Sequence, residues 1–109
     1  MTDLSRKRCA PCEKGAMPLT KPKAEEMVKE ISGWTLSADA RKISKQYKFK
    51  NFAYAMEFAN KILPIAEAEG HHPDLSIGWG RVGVDLSTHS IGGLSENDFI
   101  LAAKIDKIA

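Results

Sequence analysis

Apolar residues first recur at helical spacing after Thr20, where Ala24, Met27, Val28 and Ile31 fall three and four positions apart. Thr20 suits the N-cap of this helix, Pro22 its first turn, and Glu25 and Glu26 lie toward its positive end. Ser32-Gly33 closes it. Trp34 to Ser37 reads as a short strand. From Arg41 to Lys50 the chain alternates, with Ile43, Tyr47 and Phe49 on one side and Ser44, Gln46, Lys48 and Lys50 on the other. Asn51 then caps a longer helix that ends near Glu69-Gly70, with an expected buried stripe of Phe52, Ala55, Met56, Ala59, Ile62, Leu63 and Ala66. Pro64 lies inside that stripe and predicts a kink near residues 60–64. Two strands follow, Leu75 to Trp79 and Val82 to Thr88, with a turn at Gly80-Arg81 and then a loop over Ile91 to Leu94. A last helix starts with Ser95 as N-cap and Asp98 at its third position, and Phe99, Leu101, Ala102, Ile105 and Ile108 form its apolar side.

The order helix, two strands, helix, two strands, helix predicts an α+β domain. Its sheet has four strands, mainly antiparallel, with the helices packed on one face. Residues 1–19 are polar, carry Pro11, Gly15 and Pro18, and read as a loosely ordered N-terminal arm before a single domain over 20–109. The strand Arg41 to Lys50 is a candidate sheet edge, guarded by its lysines.

Composition narrows the function more than the fold. Sixteen Lys and Arg against fourteen Asp and Glu leave a net charge of +2, too little to call for nucleic acid or a membrane surface. No apolar run is long enough to span a bilayer, and no secretory signal is visible, so a cytoplasmic location is expected. Cys9-Ala10-Pro11-Cys12 is the only cysteine pair. It lacks the second ligand pair of a zinc site and the strand–helix setting of a redox motif, and is read as a reduced pair with no function.

The candidate chemistry lies in the second pair of strands. A two-residue turn at Gly80-Arg81 sets Trp79 against Val82, Ile77 against Val84 and Leu75 against Leu86, all apolar pairs. The same register places His72 opposite His89, with His71 adjacent and Asp98 at the start of the next helix. All three histidines of the chain thus gather at one end of one hairpin. Imidazole exchanges protons near neutral pH, and three of them without a base-activated Ser or Cys point to acid–base work. A three-His metal site is the chemical rival. It is weakened because neighbouring His71 and His72 point to opposite sides of an extended chain.

At these residues the chain resembles a known family. Glu67-x-x-x-His71-His72-Pro73, then Trp79, His89 and Gly92-Gly93-Leu94-Ser95-x-x-Asp98 are similar to the signature of the pterin-4a-carbinolamine dehydratases. The resemblance runs from about Cys9 to Ile105 and includes Pro18-Leu19-Thr20, Gly33-Trp34 and Leu101-Ala102-Ala103-Lys104-Ile105-Asp106. It implies a hydro-lyase that takes water from 4a-hydroxytetrahydrobiopterin to give quinonoid dihydropterin in tetrahydrobiopterin recycling, with no metal and no organic cofactor. It implies that His71, His72 and His89 line the pterin pocket and carry the acid–base work, His71 and His89 as the proton-transfer pair and His72 mainly holding the pterin. Pro73 belongs to the same substrate-binding motif. Asp98 would orient an imidazole, bond the pterin ring or simply cap its helix. Glu67 would brace His71 or only end a helix, and Trp34 would wall the pocket or sit in the core. Family members form homodimers or homotetramers and draw their substrate from aromatic amino acid hydroxylases. Two other roles stay open at this point: a protein-binding module of the transcription-factor dimerisation type, and a pterin-related enzyme of another pathway such as molybdenum cofactor metabolism. Pro64 is not required by the pattern, and Gly78 and Gly80 loosen the hairpin tip.

Overall fold

The computed structural model describes residues 4–9 and 17–109. Three α-helices, α1 (Lys21–Val28), α2 (Phe52–Glu69) and α3 (Glu96–Ile108), alternate with two strand pairs, β1 (Thr35–Leu36) with β2 (Ile43–Lys48), and β3 (Asp74–Gly78) with β4 (Arg81–Leu86). The sheet order is β1-β2-β4-β3 and every neighbouring pair is antiparallel. The α+β architecture matches the expectation.

Local chemistry sets the helix limits. The Thr20 side chain accepts the Lys23 N–H at the start of α1, and the Asn51 side chain accepts the Tyr54 N–H at the start of α2. Helix α1 proper stops at Val28; bonds from Glu30 to Met27 and from Ile31 to Val28 tighten the chain before Gly33, so Ile31 still reaches the core. Helix α2 continues through Pro64 and ends at Gly70, whose φ of 62° is a left-handed stop that glycine takes without a Cβ penalty.

One face of the sheet is buried beneath the helices: Ile43 and Tyr47 of β2 and Val82, Val84 and Leu86 of β4 meet Phe99, Leu101 and Ile105 of α3 in one core cluster. Helix α2 presents a different stripe from the one expected. Ala55, Phe58, Ile62 and Ala66 are buried, whereas Phe52, Met56 and Leu63 are exposed and Ala59 is half-buried. The helix is apolar on two flanks, and periodicity alone does not say which one meets the sheet. Phe58 decides it, because its ring packs 4.7 Å from Tyr47 and 5.0 Å from Phe49.

The hairpin register is also corrected. The turn falls at Trp79-Gly80, so Ile77 faces Val82 and Leu75 faces Val84, two residues away from the expected pairing. The fixed partner is β2, which pairs with β4 from Ile43↔Leu86 to Lys48↔Arg81 while Phe49 donates to the Gly80 carbonyl. A shift of two keeps every side chain on its face, so the apolar pattern is blind to it. Strand β2 is consequently interior along its whole length on the β4 side, and β1 covers its other side only at Ile43 and Ser44. The longer open edge is β3, not the lysine-bearing strand.

Residues 4–9, expected as part of a loose arm, are docked. Leu4 is buried in the core cluster, Lys7 Nζ lies 2.7 Å from Glu96, and Lys104 Nζ donates to the Ser5 carbonyl. Burial pushes the Cys9 thiol up to about 12, with the Glu69 charge adding to the shift, so Cys9 stays protonated at neutral pH. Cys12 lies outside the described residues.

Far from the histidines, Asp106 ties β2 to α3. Its carboxylate accepts Trp34 Nε1 at 3.0 Å, Lys45 Nζ at 2.8 Å and the Tyr47 hydroxyl. Burial and the neighbouring Asp106 charge both raise the Tyr47 phenol, which therefore serves as a donor. Asp106→Ala is expected to lower unfolding free energy by about 2 kcal/mol, because the indole and phenol donors would lose their acceptor. An unchanged urea midpoint would show that these bonds contribute nothing.

Candidate active site

His71 leaves α2 immediately after the left-handed Gly70, and the N–H groups of Gly70 and His71 both donate to the Ala66 carbonyl. That turn swings His71 inward toward the first turn of α3. Its Nε2 lies 2.5 Å from Asp98 Oδ1, with the imidazole about one-tenth exposed and Asp98 fully buried. The other oxygen, Oδ2, accepts the Thr88 hydroxyl at 2.8 Å and the Ser95 N–H at 2.9 Å. Thr88 Oγ1 also lies 2.8 Å from Ser95 Oγ. Since Thr88 gives its single proton to Asp98, Ser95 is the donor in that pair. Asp98 therefore caps its helix and orients an imidazole with the same carboxylate.

The other two imidazoles are exposed. His72 Nε2 lies 3.5 Å from Glu67, and His89 Nε2 lies 3.8 Å from Asp74. Of the two roles left open for Glu67, bracing His71 is not seen: its carboxylate faces His72. With the corrected register His72 and His89 are not cross-strand partners. His89 begins a 3-10 turn, His89–Ile91, beyond the end of β4. It reaches β3 through Asp74, two positions after His72 and hence on the same side of an extended chain. The connection that carries His71 and His72 and the connection that carries His89 are joined through Asp98–Thr88 and Asp74. Gly92, at φ 69°, closes the 3-10 turn, and Thr88 and Gly93 exchange backbone bonds across it.

Pro73 is half-buried beside His72 at one end of an apolar groove between α2 and β3, a space of about 310 Å³ lined by Met56, Leu63, Leu75 and Ile77. Trp34 is not brought to this region. It is buried against Tyr47, and its indole N–H is committed to Asp106. Thr88 and Asp74 were not singled out from sequence. Asp74 could have been found by alternation from His72, while nothing local distinguishes Thr88 from an ordinary strand end. Among the described residues no group of three or more His, Cys, Asp or Glu is arranged to hold a metal ion. Each imidazole instead faces its own carboxylate, one buried pair and two open ones.

Fold and site together define a small α+β protein that presents one nearly buried and two exposed imidazoles, each beside a carboxylate. The family model described as pterin 4 alpha carbinolamine dehydratase matches residues 17–108. A protein of Rickettsia canadensis named for that dehydratase is 50% identical over 106 residues, covering 97% of each chain. Another, from Methylococcus capsulatus, is 47% identical over 106 residues, 97% of this chain and 93% of its own. The crystal structure of a transcriptional coactivator/pterin dehydratase from Brucella melitensis is 34% identical, with a TM-score of 0.79 over 84% of this chain and 98% of that one. The chain belongs to the pterin-4a-carbinolamine dehydratase family, hydro-lyases of tetrahydrobiopterin metabolism.

A carboxylate only accepts hydrogen bonds, so the contact with Asp98 requires the His71 proton to sit on Nε2. Nitrogen-15 imidazole spectra should show neutral His71 with its proton on Nε2, and Asp98→Asn should weaken that preference. A neutral His71 protonated on Nδ1 would contradict the arrangement.

Proposed function

We propose that this chain removes water from 4a-hydroxytetrahydrobiopterin to give quinonoid dihydropterin, with His71 and His89 as the proton-transfer pair and His72 holding the pterin. The observation that carries the reading is the buried His71–Asp98 pair within a chain matched to the family from residue 17 to 108. In the reaction the C4a–O bond breaks. The hydroxyl takes a proton and leaves as water, the N5–H proton is lost, and its electron pair forms the new double bond. The step is balanced without an oxidant and needs one acid and one base. An imidazole fixed by Asp98 suits one role; an exposed imidazole suits the other. The substrate would come from an aromatic amino acid hydroxylase, and the reaction would take place in the cytoplasm.

The test is the dehydration rate of chemically generated 4a-hydroxytetrahydrobiopterin. Wild type should accelerate it, and His71→Ala and His89→Ala should each lose about 10²-fold or more in kcat. His72→Ala should act mainly on KM. A wild-type protein that leaves the rate unchanged would overturn the reading.

Self-association belongs to the same proposal. Leu63, Leu75, Ile77 and Trp79 are exposed large apolar residues along α2, the open edge of β3 and the turn that follows it. A second copy of the chain laid on that face would cover them and pair the free strand. Sedimentation should give a homodimer or homotetramer at micromolar concentration, shifted toward monomer by Ile77→Lys. A monomeric wild type would sink this part.

A further inference from the structure

The pair His71–Asp98 is made by two helix ends, the C-terminal end of α2 and the N-terminal end of α3, so its geometry depends on how those ends are held. Glu69 is the last residue of α2 and lies two positions before His71. Its carboxylate is almost completely buried and accepts the Cys9 backbone N–H at 2.7 Å. Arg8 Nε and Lys104 Nζ stand 3.7 and 3.8 Å from its second oxygen. Lys104 belongs to α3, the helix that carries Asp98, and its ammonium also bonds the Ser5 carbonyl at 2.9 Å. The same short segment reaches the other helix end: the Cys9 thiol lies 3.7 Å from the carbonyl of Asn97, the residue before Asp98, and Lys7 pairs with Glu96. One segment thus touches the residues flanking both partners of the pair.

We propose that Glu69 is a positioning residue for the His71–Asp98 pair, and that residues Lys7–Cys9 clasp the two helix ends through it. The inference rests on the proposed role of His71, but its structural part does not. The backbone N–H of Cys9 holds the Glu69 carboxyl below the usual carboxylate range, with Lys104 and Arg8 adding to the effect, so the clasp is charged at neutral pH. A bond of 2.5 Å between His71 and Asp98 tolerates little displacement, and a shift of a few tenths of an ångström in either helix end would loosen it.

Full-length Glu69→Ala and Glu69→Gln would be compared with wild type in dehydration kinetics and in nitrogen-15 imidazole spectra. Glu69→Ala should lower kcat about tenfold with KM changed less than about twofold, and should move the His71 Nε2 signal while His72 and His89 stay in place. Glu69→Gln keeps an acceptor for the Cys9 N–H and should recover most of the loss. If Glu69→Ala does not fold, Lys104→Met with Arg8→Ala serves in its place and should move the same His71 signal. Folded variants with wild-type kcat and an unmoved His71 signal would overturn the inference, as would equal movement of all three histidines. A wild type without dehydration activity would end the functional reading alone, because the His71 signal still reports on the clasp.

Discussion

A carboxylate with no access to solvent must replace its hydration with donors from the protein, or its charge costs several kcal/mol. Asp98 meets that requirement with three donors from three places: the His71 ring at the end of α2, the Thr88 hydroxyl beyond β4, and the Ser95 N–H at its own helix start. The His71 ring comes from a different connection from Thr88 and Ser95, which stand at the two ends of the link between β4 and α3. The connections around the site are therefore not free to move separately, since losing one donor leaves part of a buried charge unpaired. Capping α3, fixing the His71 ring and anchoring the strand that leads to His89 are three consequences of one satisfied carboxylate.

The same requirement accounts for the docked N-terminal segment. Glu69 is a second carboxylate withdrawn from water, and its partners come from Cys9, Arg8 and Lys104. Asp98 and Glu69 stand at the two helix ends that produce the His71 contact. Helix α3 holds one of these carboxylates and a partner of the other: Asp98 in its first turn and Lys104 further along. Packing between α2 and α3 supplies the apolar part of the contact, but it does not choose among small rotations of one helix on the other. The three donors on Asp98 and the Cys9 N–H on Glu69 do choose, because hydrogen bonds have narrow limits of distance and angle.

What could be read from the sequence divides along the range of the interactions involved. Thr20, Asn51 and Ser95 were legible as caps and Gly70 as a stop, because each acts within one turn of chain. The three-histidine region was legible as well, yet its expected geometry came from a hairpin register that is off by two. Leu75, Ile77, Val82 and Val84 satisfy either register equally well, since both keep the same faces together. The choice was made by β2, more than thirty residues earlier, through Tyr47↔Val82 and Lys48↔Arg81. The buried stripe of α2 was misread for a similar reason: Phe58 turns inward to meet Tyr47 and Phe49, and no local pattern reveals that partner. Trp34 was an ambiguous aromatic until Asp106 supplied an acceptor for its indole, and the docking of Leu4–Cys9 was hidden because its partners lie on α2 and α3.

The histidines differ in how much freedom each keeps, and that difference bears on their chemistry. His71 is nearly buried and held by a short bond to a fixed carboxylate, so its tautomer and ring plane are set before any substrate arrives. Preorganisation of this kind removes reorganisation from the barrier, and it is of use only if the substrate is brought to the ring. His72 and His89 stand in solvent, and their carboxylates are farther away, at 3.5 and 3.8 Å. In the proposed mechanism these exposed side chains would be free to adjust to an incoming flat ring. A dehydration must release a water molecule on every cycle, so a wholly buried site would have to open each time. In the proposed mechanism one rigid imidazole behind two accessible ones would meet both demands: the fixed ring would define where the reacting atoms must lie, and the open face would let substrate enter and water leave.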